Sequence, residues 1–369
     1  MKFNSAAGEF VPDWAVPPGA LLKAELEEQH MTQADLAART GLSAKHVNQV
    51  VKGVVPLSPE VALLLERTLG VPSRLWNAAE ADYRDHVTRS AATQSLVDHA
   101  SWAKDFPLAD LRQRGVLQPH SPGEPVALTL LRFFGVASPS AWQAVYAQAS
   151  FRRAQHTKVS VENTTAWLRL AELRALELAG RLRPPAYSAK ALRALLPRLR
   201  RLTLQSDDAA ALSEAQRLCA SAGVLVVFVP TLPHTGAQGA TRWLGDVPIV
   251  AVTERYKQHD IFWFSLFHEL SHVLLHPKRG SYVSRKDGDD ADGLEQEAND
   301  HAADLLIPPA YIARLQAAGP DDAPRLADEF DVAVSIVAGR MARAHGQWSR
   351  YACYRRALDI DVLVRALDH

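Results

Sequence analysis

The sequence has little cysteine, no excess of charge of either sign and no long apolar run, and each shortage removes a class of protein. Its two cysteines, Cys219 and Cys353, stand far apart and form no C-x-x-C pair. Neither a disulfide framework nor a cysteine-held zinc site is therefore expected, and a reducing, cytoplasmic compartment fits. Lysine and arginine number 41, aspartate and glutamate 41, for a net charge of zero. That excludes a chain that coats nucleic acid or membrane through bulk charge, so any nucleic-acid contact must be local. The longest purely apolar run, Val224 to Val229, is strand-sized, and Met1 to Trp14 contains no basic segment leading into an apolar one. No membrane contact and no secretory leader are expected. Internal repeats of about 20 to 50 residues are not visible either.

What remains is an ordinary globular composition, 47% hydrophobic and 22% charged over 369 residues. At roughly 150 residues per domain this length suggests two or three units. Helical apolar spacing over 18–87 predicts an all-α first domain. Further helical patterns punctuated by proline over 88–206 predict a helical connector, with Ser140 to Ala154 and Thr164 to Leu182 as two of its helices. From 207 to 369 the pattern turns mixed, with the β-branched run GVLVVFV and the strand-like GATRWLG and VPIVAVT flanking Gly245-Asp246, which predicts an α+β domain. The arginine-rich stretch Arg181 to Arg201 reads as a solvated helix face. The acidic stretch Ser284 to Gly293 lacks the spacing of an EF-hand and reads as a surface loop.

Two segments carry chemistry. In the first, Thr32 to Gly53, Thr32 can cap one helix, Gly41 supplies a turn and Ser43 can cap a second helix. Val47, Val50 and Val51 form the apolar face of that second helix and leave Ala44, Lys45, His46, Asn48, Gln49 and Lys52 outside. Asn and Gln can pair with adenine, Lys with guanine or phosphate, and helix N-termini favour phosphate. The candidate DNA-binding residues are therefore Thr32, Gln33, Ser43, Ala44, Lys45, His46, Asn48, Gln49 and Lys52. Over residues 18 to about 86, with PGALLKAELEEQHMTQADLAARTGLSAKHVNQVVKG and SPEVALLLERTLGVPSRLWNAAEADY, the chain resembles the HigA-type antitoxin branch of the XRE helix-turn-helix family. The resemblance implies a five-helix domain that dimerises on an inverted-repeat operator DNA, and a toxin as a further partner.

The second segment is His268-Glu269-Leu270-Ser271-His272, within IFWFSLFHELSHVLLH. Four residues advance a helix by about 400°, so His268 and His272 share one face and can bind one ion through two imidazoles. Glu269, displaced by about 100°, can take a proton from a water on the open side of the ion. The rest of this helix is apolar, and burying two imidazoles with a carboxylate calls for a compensating partner such as Zn²⁺. Downstream, Glu295 and Asn299 are i and i+4 on a second helix pattern. Glu295 can complete a His₂Glu set with Asn299 hydrogen-bonded to a liganding histidine, and Glu297 is the alternative ligand. His276 sits in the last turn, where imidazolium suits the helix dipole. Arg242, Tyr256 and His234 are each able to stabilise an oxyanion, and nothing in the sequence chooses among them.

At these residues, HELSH followed by EQEANDHA, the chain resembles the ImmA/IrrE family of zinc-dependent metallopeptidases, with His301 in place of the usual Phe. The resemblance extends from about Asp207 to Leu326 and implies a zincin-like fold. It also implies an edge strand, Gly239, Ala240, Thr241, Arg242, Trp243 and Leu244, that holds an extended peptide substrate by strand addition. The substrate it implies is a repressor or antitoxin, another copy of this chain included. LADEFDVAVSIVAGRMARAHG has a second helix-turn-helix look, which in that family completes the peptidase domain by packing. Two readings follow: a DNA-binding regulator with a zinc endopeptidase domain, and an antitoxin-like repressor whose zinc domain senses or binds a partner without cutting.

Overall fold

The computed structural model describes residues 16–97, 100–120, 122–147, 159–276, 282–284 and 293–365. The stretch before Val16, the distal part of the helix expected over 140–154 and the acidic residues 285–292 lie outside them. Internal contacts divide the chain into two units, Met1–Ala100 and Ser101–His369. Of the residues expected to form a connector, 88–97 continue the last helix of the first unit, and those from Ser101 onward belong to the second.

The first unit holds α1 Pro18–Glu28, α2 Gln33–Thr40, α3 Ala44–Val51, α4 Pro59–Leu69 and α5 Ser73–Val97, and side-chain caps start α2, α3 and α4. Thr32 Oγ1 accepts from the Asp35 amide at 3.1 Å while Asp35 Oδ2 accepts from the Thr32 amide at 3.1 Å. This reciprocal box satisfies two donors that the helix itself leaves open. The Thr32 hydroxyl also holds the Asp35 carboxyl below its ordinary pKa. Gly41 ends α2 at φ 74, in the left-handed region that favours glycine. Ser43 then caps α3 by accepting from the His46 amide at 3.1 Å. The helices enclose one core containing Leu22, Leu26, Leu36, Val47, Val50, Leu65 and Trp76. At Gly19, α1 lies so close to the end of α3 that a Cβ would stand 2.3 Å from the Val51 carbonyl oxygen.

In the second unit the helices that matter below are α6 Val126–Phe134, α7 Val161–Leu182, α8 Ala189–Arg201, α9 Asp208–Ser221, α10 His259–Leu275, α11 Gly293–Leu306, α12 Ala323–Phe330 and α13 Val334–His345. They surround a four-stranded sheet of β1 Leu225–Phe228, β2 Gly239–Leu244, β3 Val247–Val252 and β4 Tyr282–Ser284, in the order β1-β3-β2-β4. β1 is parallel to β3, whereas β2 pairs antiparallel with β3 and, over Gly239–Thr241, with β4. Successive residues of a strand face opposite sides. Thr241 meets α10 and Arg242 meets α7, so the two helices cover the two faces of the sheet. α7 is tied down further by the Trp167 indole N–H, which donates to the Val229 carbonyl at 3.0 Å. The fold class expected from the sequence, a helical N-terminal domain followed by helices and an α+β domain, is the one observed.

The charge run and the second helix-turn-helix pattern both resolve as packing. α8 buries Leu192, Leu196 and Leu199 and turns Arg193, Arg198 and Arg201 outward, Arg198 to Glu214 at 2.7 Å and Arg201 to Asp331 at 3.1 Å. α12 and α13 bury Leu326, Phe330, Ile336, Val337 and Met341 in the core shared with α10.

The first turn of α10 carries a pH-dependent element. The Trp263 indole N–H donates to His259 Nε2 at 2.9 Å, so that nitrogen is an acceptor, and Nδ1 carries the proton toward Ser335 Oγ at 2.8 Å. Burial, with the Arg356 charge pulling the same way and Asp208 opposing, lowers the His259 pKa from 6.5 to about 4. The folded value lies below the unfolded one, so the unfolded chain takes up this proton first. The stabilisation is therefore present above about pH 6.5 and lost as the pH falls through about 4, a loss on the order of 3 kcal/mol. Denaturant unfolding of wild type and His259→Gln across this range checks it: the variant, which keeps a donor and an acceptor but cannot titrate, should show the flatter profile. Parallel profiles would contradict the assignment.

Candidate metal centre

α10 is apolar almost all round, with Phe262, Trp263, Leu266, Phe267, Leu270 and Val273 buried. A helix of this kind lies inside the fold with β2 and β3 on one side and α11 and α13 on others. Its polar residues are buried with it: His268, Glu269, Ser271, His272 and His276. α11 approaches through the small side chains of Ala298, Ala302 and Ala303, which allows the short separation that a carboxylate on its first turn needs to reach α10.

His268, His272 and Glu295 each aim one ligand atom at the same place, and these atoms all lie within 4.8 Å of one another. The two Nε2 atoms are 3.0 Å apart, and Glu295 lies 3.3 Å from His268 Nε2 and 3.6 Å from His272 Nε2. Atoms placed tetrahedrally about a zinc ion at ~2.0–2.1 Å are separated from each other by ~3.3 Å. The three observed spacings bracket that value, and two imidazoles with one carboxylate are a donor set suited to a divalent ion, so the residues fit. The electrostatics agree. Burial alone would raise the Glu295 pKa, yet the two imidazoles outweigh it and hold the carboxyl far below the ordinary range. Burial alone would lower the His268 pKa, yet Glu295, Glu269 and the Asn299 side chain together raise it. Two imidazoles and a carboxylate buried together are a set that a cation would balance.

Glu269 is held by β2 from both sides of its carboxylate. Thr241 Oγ1 lies 2.8 Å from Glu269 Oε2 and 3.0 Å from the Glu269 carbonyl oxygen, so its one proton is shared between them. Gly239, two residues earlier on the same face, leaves the space the carboxylate fills: a Cβ there would stand 2.6 Å from Oε1 and 2.7 Å from Cγ. Strand alternation explains the pairing, since Gly239, Thr241 and Trp243 face α10 whereas Ala240, Arg242 and Leu244 face away. Trp243 meets the Tyr187 ring edge-on at 5.3 Å.

Several expected positions need correction. β2 is not a simple edge strand, because among the described residues β4 pairs with it over Gly239 to Thr241; the chain after α10 returns to the sheet, which local pattern does not reveal. Arg242 turns away from Glu269 toward α7, where its Nε meets the buried Glu172 at 2.9 Å and its guanidinium lies over the Tyr146 ring at 4.9 Å. It is therefore unsuited to an oxyanion. Tyr146 also donates to Glu172, and burial followed by that carboxylate pushes its phenol up to about 12. His234 and Tyr256 are exposed residues with positive φ, 56 and 71. Glu297 does not join the two imidazole Nε2 atoms but reaches His276 Nε2 at 3.2 Å. His276, expected in the last turn, caps the end of α10 and is buried, with Nδ1 2.8 Å from His272 Nδ1. His301 stands against Ser271 Oγ at 2.9 Å, and partial burial lowers its pKa.

On the first unit, the candidate DNA-contacting residues separate into two groups. Thr32 and Ser43 are exposed but commit their hydroxyls to caps. Ala44, Lys45, Asn48 and Lys52 stand outward on and just beyond α3, while Gln33, His46 and Gln49 are half-buried. The exposed amide and ammonium groups share one helix face with no acidic residue between Ala44 and Lys52.

Comparison with known families places both units. The helix-turn-helix family matches residues 22–76, from α1 into α5. A peptidase family described as the IrrE N-terminal-like domain matches residues 219–342, a span that takes in β1 to β3, α10, α11 and every donor of the cluster. No curated protein matches the chain. The chain thus joins an XRE-type helix-turn-helix domain to an IrrE-like, peptidase-like domain, and among the described residues no helix is long and apolar enough to cross a membrane.

Proposed function

We propose that this chain is a cytoplasmic DNA-binding regulator of the HigA type. In this reading its second unit is a zinc-dependent endopeptidase that hydrolyses a peptide bond in a regulatory protein, a repressor or antitoxin, its own copies included. The observation that carries the reading is the convergence of His268, His272 and Glu295 within 4.8 Å beside a carboxylate fixed by Thr241 and Gly239. Zinc held by these three residues would act as a Lewis acid, acidifying water and polarising the scissile carbonyl. Glu269 accepts the proton of the attacking water and delivers it to the departing amine. Thr241 holds Glu269 in place for that transfer, and Asn299 orients His268. An extended peptide adds alongside β2 at Arg242–Leu244. The test is incubation of the zinc-loaded chain with the regulatory proteins encoded beside its mapped operators, and with itself, read by intact mass. A discrete cleavage that a chelator stops supports the reading; intact partners throughout would overturn it.

The first unit supplies the address. In this reading α3 enters the major groove of an inverted-repeat operator as part of a homodimer, with Lys45, Asn48 and Lys52 reaching bases or phosphates and the caps at Thr32 and Ser43 presenting helix N-termini to the backbone. Lys45→Ala and Asn48→Ala should each weaken operator binding by about 1–3 kcal/mol without changing the unfolding midpoint. Gel-shift titration on a mapped operator checks this, and unchanged affinity for both variants would sink it.

One observation favours a second reading. β4 already occupies the Gly239–Thr241 side of β2, as a domain that binds a partner without cutting it would allow. In that case the chain is an antitoxin-like repressor, with a toxin as the partner and zinc as a sensor or structural ion.

A further inference from the structure

The chemistry of a histidine ligand depends on its second nitrogen. To offer Nε2 as a lone pair, a neutral imidazole must carry its proton on Nδ1, and in a buried site that N–H needs an acceptor. The His272 side chain is 0% exposed, so water is not at hand to serve. The group that faces its Nδ1 is His276 Nδ1 at 2.8 Å, and the opposite nitrogen of His276 faces Glu297 Oε2 at 3.2 Å.

One arrangement of protons satisfies these contacts when His272 binds an ion. The ionised carboxylate of Glu297 accepts and cannot donate, so His276 carries its proton on Nε2. That leaves His276 Nδ1 as an acceptor, which draws the His272 proton to Nδ1 and leaves His272 Nε2 bare on the side where His268 and Glu295 converge. We infer that His276 and Glu297 are positioning residues which fix the tautomer and ring orientation of His272 for metal binding, without being ligands themselves. The inference rests on the metal site proposed above. Geometry separates the two roles: His276 and Glu297 lie beyond the Nδ1 edge of His272, whereas the ligand atoms of His268 and Glu295 lie beyond its Nε2 edge.

The partners differ in exposure, and this orders the expected effects. Removing His276 takes away the acceptor that faces a buried N–H, whereas the Glu297 side chain is 57% exposed and water can partly replace it. The experiment is competition for zinc between a chromophoric chelator and the full-length protein, with Glu295→Ala as the control that removes a ligand. His276→Ala should bind zinc about 10–100-fold more weakly, and Glu297→Gln should weaken it less. His276→Gln, whose amide can accept from His272 and donate to Glu297, should recover most of the affinity, a rescue that a merely space-filling role does not predict. If His276→Ala and His276→Gln both hold zinc as tightly as wild type while Glu295→Ala loses it, the relay is wrong and the metal site stands. Loss of binding in Glu297→Ala as complete as in Glu295→Ala would make Glu297 a ligand and overturn the inference. A wild-type chain that takes up no zinc would remove the metal site and the relay together.

Discussion

Glu269→Gln is expected to leave zinc bound and to reduce peptide hydrolysis by about 10²–10⁴-fold, the usual loss when a positioned general base is removed. The substitution keeps the shape of the side chain, and the amide can still accept from Thr241, so the fold should not change. What disappears is the ability to take a proton and return it. Glu269 is fully buried, so no solvent-borne base stands in the same place to substitute for it. Cleavage of a defined protein substrate, followed by mass spectrometry at matched zinc occupancy, checks the prediction. Equal rates in wild type and variant would remove Glu269 from the reaction.

Gly239→Ala should impair the same step from the other side. The new methyl would stand 2.6 Å from Glu269 Oε1 and 3.0 Å from Cδ, closer than van der Waals contact allows, and the carboxylate cannot swing away without leaving Thr241. Because the clash falls on Glu269 and on none of the three ligands, zinc should remain bound. A misplacement of about 1 Å in a catalytic group costs roughly 10²-fold in rate, so kcat should fall by that order with KM changed much less. A variant that cleaves normally would show that Glu269 works from a different position. A variant that loses zinc would show that the strand supports the ligands rather than the base.

How far the sequence could be read depended on how local each interaction is. The first unit was legible because its signals lie within a few residues: Thr32 and Asp35 make a capping box, Gly41 takes positive φ, and Val47 and Val50 are spaced to be buried together. The convergence of His268 and His272 follows from one helical turn, and Glu295 was accessible because it shares a helix face with Asn299. Glu297 points elsewhere on that helix, but no periodicity reveals that a second helix brings His276 to meet it. His276 was visible as the third member of an i, i+4, i+8 histidine series; its burial was not, since that depends on how α11 packs against α10. The same limit hid the partners of β2. Thr241 holding Glu269, Glu172 drawing Arg242 to the opposite face, and β4 covering half the strand each join residues tens of positions apart.

Every catalytic and positioning role assigned to the second unit depends on one ion, so the most direct measurement is the metal content of the purified chain and of its Glu295→Ala and His268→Ala variants, by mass spectrometry after zinc reconstitution and removal of loosely bound metal. The wild type should hold about one zinc per chain, from a four-coordinate site with three protein ligands, and both variants should lose it. A wild-type chain that remains metal-free, or a Glu295→Ala chain that keeps its zinc, would contradict this.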